Sequence, residues 1–227
     1  MAPAAGAELA GAAASRDWAQ IIRARLAGST PRHEVSEWRV PGLFEPIDQS
    51  QQRWLPQDPV PAAVLMPLVE RRELTVLFTQ RATQLRNHAG QISFPGGRIE
   101  SADGSPVAAA LREAREEIGL AERFVSVIGY LPDHLVNTGF RITPVVAFVQ
   151  PDFELLLDTQ EVQDTFEVPL EHLFDPANHH RHRRRAPVSG EEVEFFDIPF
   201  DDRNIWGATA GMLLTLYRLC VGPRADE

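Results

Sequence analysis

The chain has 227 residues, with 32 Asp plus Glu against 22 Lys plus Arg, and all 22 bases are Arg. A formal net charge of −10 argues against a nucleic-acid coat, whose affinity comes from basic groups neutralising phosphates. A hydrophobic content of 44% excludes disorder for most of the chain, and a lone Cys220 excludes both an intramolecular disulfide and a cysteine-based zinc knuckle.

Residues 1–14, MAPAAGAELAGAAA, read as a disordered low-complexity tail, and the absence of a basic start argues against a secretory leader. SRDWAQIIRARL (15–26) sets apolar residues at 18, 21, 22 and 26, which suits one helical face. A proline-rich surface lead-in follows to about residue 60. Two strand-like runs, 62–69 and 74–81, flank the charged turn Glu70-Arg71-Arg72-Glu73 and predict a hairpin. Residues 82–97 read as a loop. A helix over 106–118 is well bounded, with Ser105 as N-cap, Pro106 at the first helical position and Gly119 closing the end. Strands are expected at 124–131, 141–149 and 193–200, a short helix near 169–174 and a final helix at 205–220. This mixture, without regular βαβ alternation, predicts an α/β (α+β) domain with a central mixed sheet and helices on its faces. No run reaches the roughly 18 apolar residues of a membrane span, so a soluble, cytoplasmic protein with neither membrane nor nucleic-acid partner is expected.

The chemistry concentrates in 96–120. On a helical wheel Val107, Leu111, Ala114 and Ile118 form a buried stripe, whereas Glu113, Glu116 and Glu117 fall on another face at i, i+3, i+4 spacing. Like charges so close repel, and a hard divalent cation, Mg²⁺ or Mn²⁺, reverses the sign of that interaction. Pro95-Gly96-Gly97 ahead of the helix lets the backbone approach a ligand closely. Arg112 and Arg115 balancing an exposed acidic face is the competing reading.

Gly97 followed by Arg112-Glu113-Ala114-Arg115-Glu116-Glu117-Ile118-Gly119-Leu120 resembles the Nudix box, G-x5-E-x7-R-E-U-x-E-E-x-G-U. Fourteen residues separate Gly97 from Arg112 where the general pattern has thirteen, and Asp103 stands where the pattern has its first Glu. LFTQRATQLRNHAGQISFPGG (77–97) resembles the additional motif of the coenzyme A pyrophosphatase branch, through Thr79, Arg81, Ala82, Arg86, Gly90, Phe94, Pro95, Gly96 and Gly97.

The resemblance implies a Nudix fold, an αβα sandwich over 61–222 that follows the tail (1–14) and a helix with lead-in (15–60). It also implies metal-dependent hydrolysis of coenzyme A, or its acyl derivatives, to 3′,5′-ADP and 4′-phosphopantetheine. Glu113, Glu116 and Glu117 are then the ligands for Mg²⁺ or Mn²⁺, Arg112 orients them, and Arg81, Arg86, Gly96 and Gly97 bind substrate. The general base is open among Glu116, Glu117 and Glu161. ADP-ribose or a dinucleotide is the alternative substrate, and a non-catalytic nucleotide- or RNA-binding regulator the alternative class. His88 is expected either to bond within its loop or to touch substrate, and His134 and Asn137 are weaker substrate contacts. The run His179–Arg185 reads as a mobile basic loop, and the N-terminal segment is a candidate homodimer surface.

Overall fold

The computed structural model describes residues 16–31, 39, 58–85, 88–136, 138–185 and 192–222, with backbone alone at 184 and 193. In chain order the elements are α1 (Trp18–Leu26), β1 (Val60–Glu70), β2 (Leu74–Arg81), β3 (Ile92–Ser93), β4 (Gly96–Arg98), α2 (Pro106–Ile118), β5 (Val125–Tyr130), β6 (His134–Leu135) and β7 (Phe140–Val149). They continue with β8 (Val162–Pro169), α3 (Leu170–Leu173), β9 (His180–Arg185), β10 (Glu192–Phe200), β11 (Arg203–Trp206) and α4 (Gly207–Val221).

Strand β1 is the centre of the main sheet. It pairs in parallel with β7 from Val60↔Phe140 to Val69↔Val149, and antiparallel with β4 and then β2 along its other edge. With β5 and β6 on β7, and β3 and β8 on β2, the sheet is mixed, as expected. Two-residue alternation along β1 and β7 buries both faces. Ala63, Leu65, Val69, Val145, Ala147 and Val149 meet α2 on one side, while Met66, Leu68, Val146 and Phe148 meet α1 and α4 on the other. Helix, sheet and helix therefore form the three-layer sandwich.

Local signals placed most elements to within a residue or two. Helix α2 starts with the Ser105 side chain accepting from the Ala108 N–H at 3.1 Å and ends at Gly119 in the left-handed region, φ 70°. Four expectations need correction. Residues 180–185 are not a mobile loop but strand β9, paired with β10 in a second, three-stranded sheet. Its polar sequence shows no alternation, and the strand is held by cross-strand partners: Arg181 and Arg183 bond Glu194, and His182 bonds Asp197 and stacks on Phe195. Residues 162–169, outside every expected strand, form β8 against β2. The 82–97 stretch contains the short strands β3 and β4. The last helix starts only at Gly207, because 203–206 pairs with β10 as β11. The tail at 1–14, most of the lead-in, Arg86 and Asn137 lie outside the described residues. Among the described residues no helix is long and apolar enough to cross a membrane.

Candidate active site

Helix α2 approaches the sheet closely because its inner stripe is small. Ala110 and Ala114 are buried, and Glu117, seven residues from Ala110, falls about 20° from it on the wheel. The geometry that seats the helix therefore also carries a carboxylate into the protein. Glu117 is only 4% exposed. Its Oε2 accepts from the Gly96 N–H at 3.1 Å, and its Oε1 stands 4.0 Å from a guanidinium nitrogen of Arg81 at the end of β2. Burial pushes its pKa up to about 8; the Gly96 N–H and Arg81 oppose that rise, whereas Glu113 and Glu161 add to it.

Glu113 lies one turn earlier. A Cβ on Gly97 would come within 2.6 Å of the Glu113 Cδ, so the residue after Gly96 must lack a side chain for this carboxylate to sit over the loop. Desolvation raises the Glu113 pKa, against the pull of Arg112. Gly96, at φ 157°, is the more constrained of the two: a Cβ there would meet the backbone of Val64, 2.6 Å from its Cα, which cannot swing aside as a Glu side chain can.

Arg112 is the hub. It donates to Glu113 and to Glu116 at 2.9 Å each, to the Arg98 carbonyl at 3.1 Å, and to both carboxylate oxygens of Asp103 at 2.8 and 3.1 Å. Asp103 also accepts the Glu100 N–H at 2.7 Å, and Arg112 holds its carboxyl below the ordinary range. The one-residue insertion in the turn therefore does not displace the arginine: Asp103 reaches it across the longer loop and clamps it from the side away from the glutamates. Motif spacing left that role unassigned, since an acid at this position shows no partner until the turn is folded.

Glu116 is half-exposed and held by Arg112. Glu161 is exposed, but its backbone carbonyl accepts the Ala82 N–H at 2.8 Å, which ties the start of β8 to the end of β2 beside Arg81. The 155–158 segment caps α2 from outside, with the Leu156 and Asp158 N–H groups on the carbonyls of Ile118 and Glu117. His88 bonds Gln91 within its own loop at 2.8 Å. His134 is buried, its Nδ1–H donating to the Pro132 carbonyl at 3.0 Å and its Nε2 lying 3.3 Å from the Thr215 hydroxyl, so its ring is tied into the core.

Among the described residues no three His, Cys, Asp or Glu side chains converge as a ready-made cation cage. The donor set nonetheless suits a hard divalent ion. Glu117 and Glu113 are neighbouring desolvated carboxylates whose charge is incompletely compensated, and Glu116 can join them by leaving Arg112. The Nε of Arg81 is buried without a hydrogen-bond partner, so this arginine brings spare donor capacity to the same place.

A NUDIX domain model matches residues 59–188, more than half of the chain. The chain belongs to the Nudix hydrolase family. Uncharacterized Nudix hydrolase NudL of Escherichia coli strain K12 is 39% identical over 158 residues, spanning 68% of this chain and 80% of its own. The protein of the same name from Enterobacter sp. strain 638 is 40% identical over 157 residues with the same coverage. Among solved structures, the Nudix hydrolase RenU of M. smegmatis is similar at a TM-score of 0.44 and 22% identity, over 51% of this chain and 74% of its own. The Nudix helix of the present chain is α2.

Proposed function

We propose that this Nudix hydrolase cleaves the diphosphate of coenzyme A and its acyl derivatives, releasing 3′,5′-ADP and 4′-phosphopantetheine or its acyl form. The observation that supports this most is the position of Arg81. It belongs to the 77–97 motif that resembles the coenzyme A branch, yet it sits 4.0 Å from Glu117 of the Nudix helix with an unpartnered buried Nε. The two motifs thus meet at one point, where a guanidinium can grip an anionic substrate beside the carboxylates.

In this reading Glu113, Glu116 and Glu117 would hold Mg²⁺ or Mn²⁺, which would neutralise diphosphate charge and supply an activated water. Arg112, anchored by Asp103, fixes the rotamers of Glu113 and Glu116. Gly96 supplies the N–H that orients Oε2 of Glu117, and Gly97 supplies the gap that Glu113 fills. Arg81, with Arg86 from the same loop, binds phosphate oxygens and restrains the diphosphate for in-line attack. Glu161 is the proton acceptor best suited to the attacking water: it is exposed, it makes no ion pair among the described residues, and it is close enough to raise the pKa of Glu113 and Glu117. Glu116 and Glu117 are taken up as metal ligands in this reading.

The test is a panel of CoA, acetyl-CoA, NADH and ADP-ribose with Mg²⁺ or Mn²⁺, with products identified by mass. Release of 3′,5′-ADP from CoA at a kcat/KM well above the others supports the reading. Strong ADP-ribose turnover with none on CoA assigns the alternative substrate. No hydrolysis of any, with nucleotide or RNA binding retained, assigns a regulator.

A further inference from the structure

A cavity of about 330 Å³ lies on the opposite face of the main sheet from α2, between the end of β2, β3 and the β10–β11 hairpin. That volume falls within the range of small-molecule pockets. Gln80, Gly90, Ile92, Asp202, Arg203, Asn204 and Trp206 line it. None of these residues belongs to the phosphate-binding set above, and Trp206 is among the few large apolar side chains left substantially exposed. An indole at the mouth of a polar cavity offers a flat stacking surface. Two side-chain amides offer both donors and acceptors to the edge of a ring.

Arg203 gives the cavity a direction. Its guanidinium is held by Asp164 at 2.7 Å and stands 3.9 Å from Asp202, with Cζ 3.9 Å from the centroid of the Phe166 ring, so a cation of fixed orientation forms one wall. Gln80 is held only by a long 3.5 Å contact to the Gly90 carbonyl and can turn to a ligand.

The cavity connects to the carboxylate site through the chain itself. Gln80 and Arg81 are consecutive in β2, and strand alternation sends their side chains to opposite faces. The loop that follows closes back on them, with the Gly90 N–H on the Arg81 carbonyl and the Arg81 N–H on the Gln91 carbonyl. A ligand reaching round the end of β2 meets Arg81 on one face and the Trp206 cavity on the other.

We propose that this cavity is the nucleobase pocket of the enzyme: an adenine ring stacks on Trp206, and its edge meets the Gln80 and Asn204 amides beside the Arg203 guanidinium. The assignment rests on the reading of the substrate as an adenine nucleotide diphosphate. A planar ring is favoured over the amide-bearing pantetheine arm because an exposed indole and a guanidinium reward a flat heterocycle with ring nitrogens and phosphate oxygens.

Calorimetric titration of the full-length protein with 5′-AMP, 3′,5′-ADP and 4′-phosphopantetheine separates the halves of the substrate. Trp206→Leu, with its melting temperature checked against wild type, should weaken both adenine nucleotides by about tenfold, the scale of one lost base-stacking contact. It should leave 4′-phosphopantetheine within about twofold, by the same scale. Asn204→Ala, an exposed position, should weaken the nucleotides in the same order. Loss confined to 4′-phosphopantetheine, or unchanged affinity for all three ligands, overturns the assignment. If the nucleotides weaken as expected while wild type fails to hydrolyse CoA, the pocket stands and the coenzyme A reading falls.

Discussion

Replacing Glu117 by Gln should stabilise the metal-free protein, and by an amount that depends on pH. The Glu117 carboxyl is buried, with a folded pKa of about 8 against an ordinary 4.5. A raised carboxyl pKa means that the folded chain holds the proton more tightly than the unfolded chain. Its stabilising contribution is complete below pH 4.5 and is lost as pH rises through 8. At about 1.4 kcal/mol per pH unit, wild type at pH 7 gives up about 3 kcal/mol relative to its own stability near pH 4, and Gln, which does not titrate, gives up none of it. Gln keeps a carbonyl oxygen to accept the Gly96 N–H. Urea denaturation in EDTA at pH 5, 6, 7 and 8 measures the difference, which should grow steadily across the series. Adding Mg²⁺ at pH 8 should restore wild type and leave the variant unaffected, while hydrolysis by the variant falls by at least about a hundredfold if the carboxylate is a metal ligand. A wild type that gains stability over Glu117→Gln between pH 5 and pH 8 without metal would refute the argument that burial governs this group.

Other substitutions probe the rest of the site. Gly97→Ala should displace the Glu113 side chain, since its Cβ would come 2.6 Å from Cδ, weakening Mn²⁺ binding and lowering kcat with little loss of melting temperature. Gly96→Ala meets the Val64 backbone instead and should cost about 2 kcal/mol or more of stability, read by urea denaturation. Asp103→Asn removes the bidentate anchor of Arg112, and kcat should fall roughly tenfold at nearly constant KM; an equal rise in KM would point to a role in substrate binding. His134 has its pKa lowered to about 4 by burial, so its contribution is present above pH 6.5 and is lost on acidification. Wild type should lose about 2 kcal/mol between pH 7 and pH 5 that His134→Gln does not lose, as measured by chemical denaturation at the two pH values.

Helix α2 was legible because its signals are local. A side-chain cap, a proline that needs no donor and a glycine free to turn left all act within one turn of the helix, and the spacing of Arg112, Glu113, Glu116 and Glu117 is a property of the helix alone. The mixed sheet was legible from strand-like apolar runs such as 62–69 and 141–149, interleaved with helices without regular βαβ alternation. Strand β9 was not. Six polar residues from His180 to Arg185 show no apolar periodicity, and they extend because Glu194, Phe195 and Asp197 pair with them from β10.

The sequence by itself determined which groups exist and in what local order: a carboxylate helix, a glycine loop before it, and two arginines in the 77–97 segment ahead of that loop. Folding alone decided their environments. Small Ala110 and Ala114 let α2 settle onto the sheet, so that Glu117 loses water while Glu116 keeps it, although both belong to one acidic run. Asp103 became the clamp on Arg112 only through the shape of its turn, and Arg81 met Glu117 only because β2 ends beside the helix. Trp206 came to face Gln80 across 125 intervening residues. Spacing along a chain records neighbours within a helical turn or a strand pair. Desolvation, and with it the pKa and reactivity of a carboxylate, depends on what the rest of the chain brings against it.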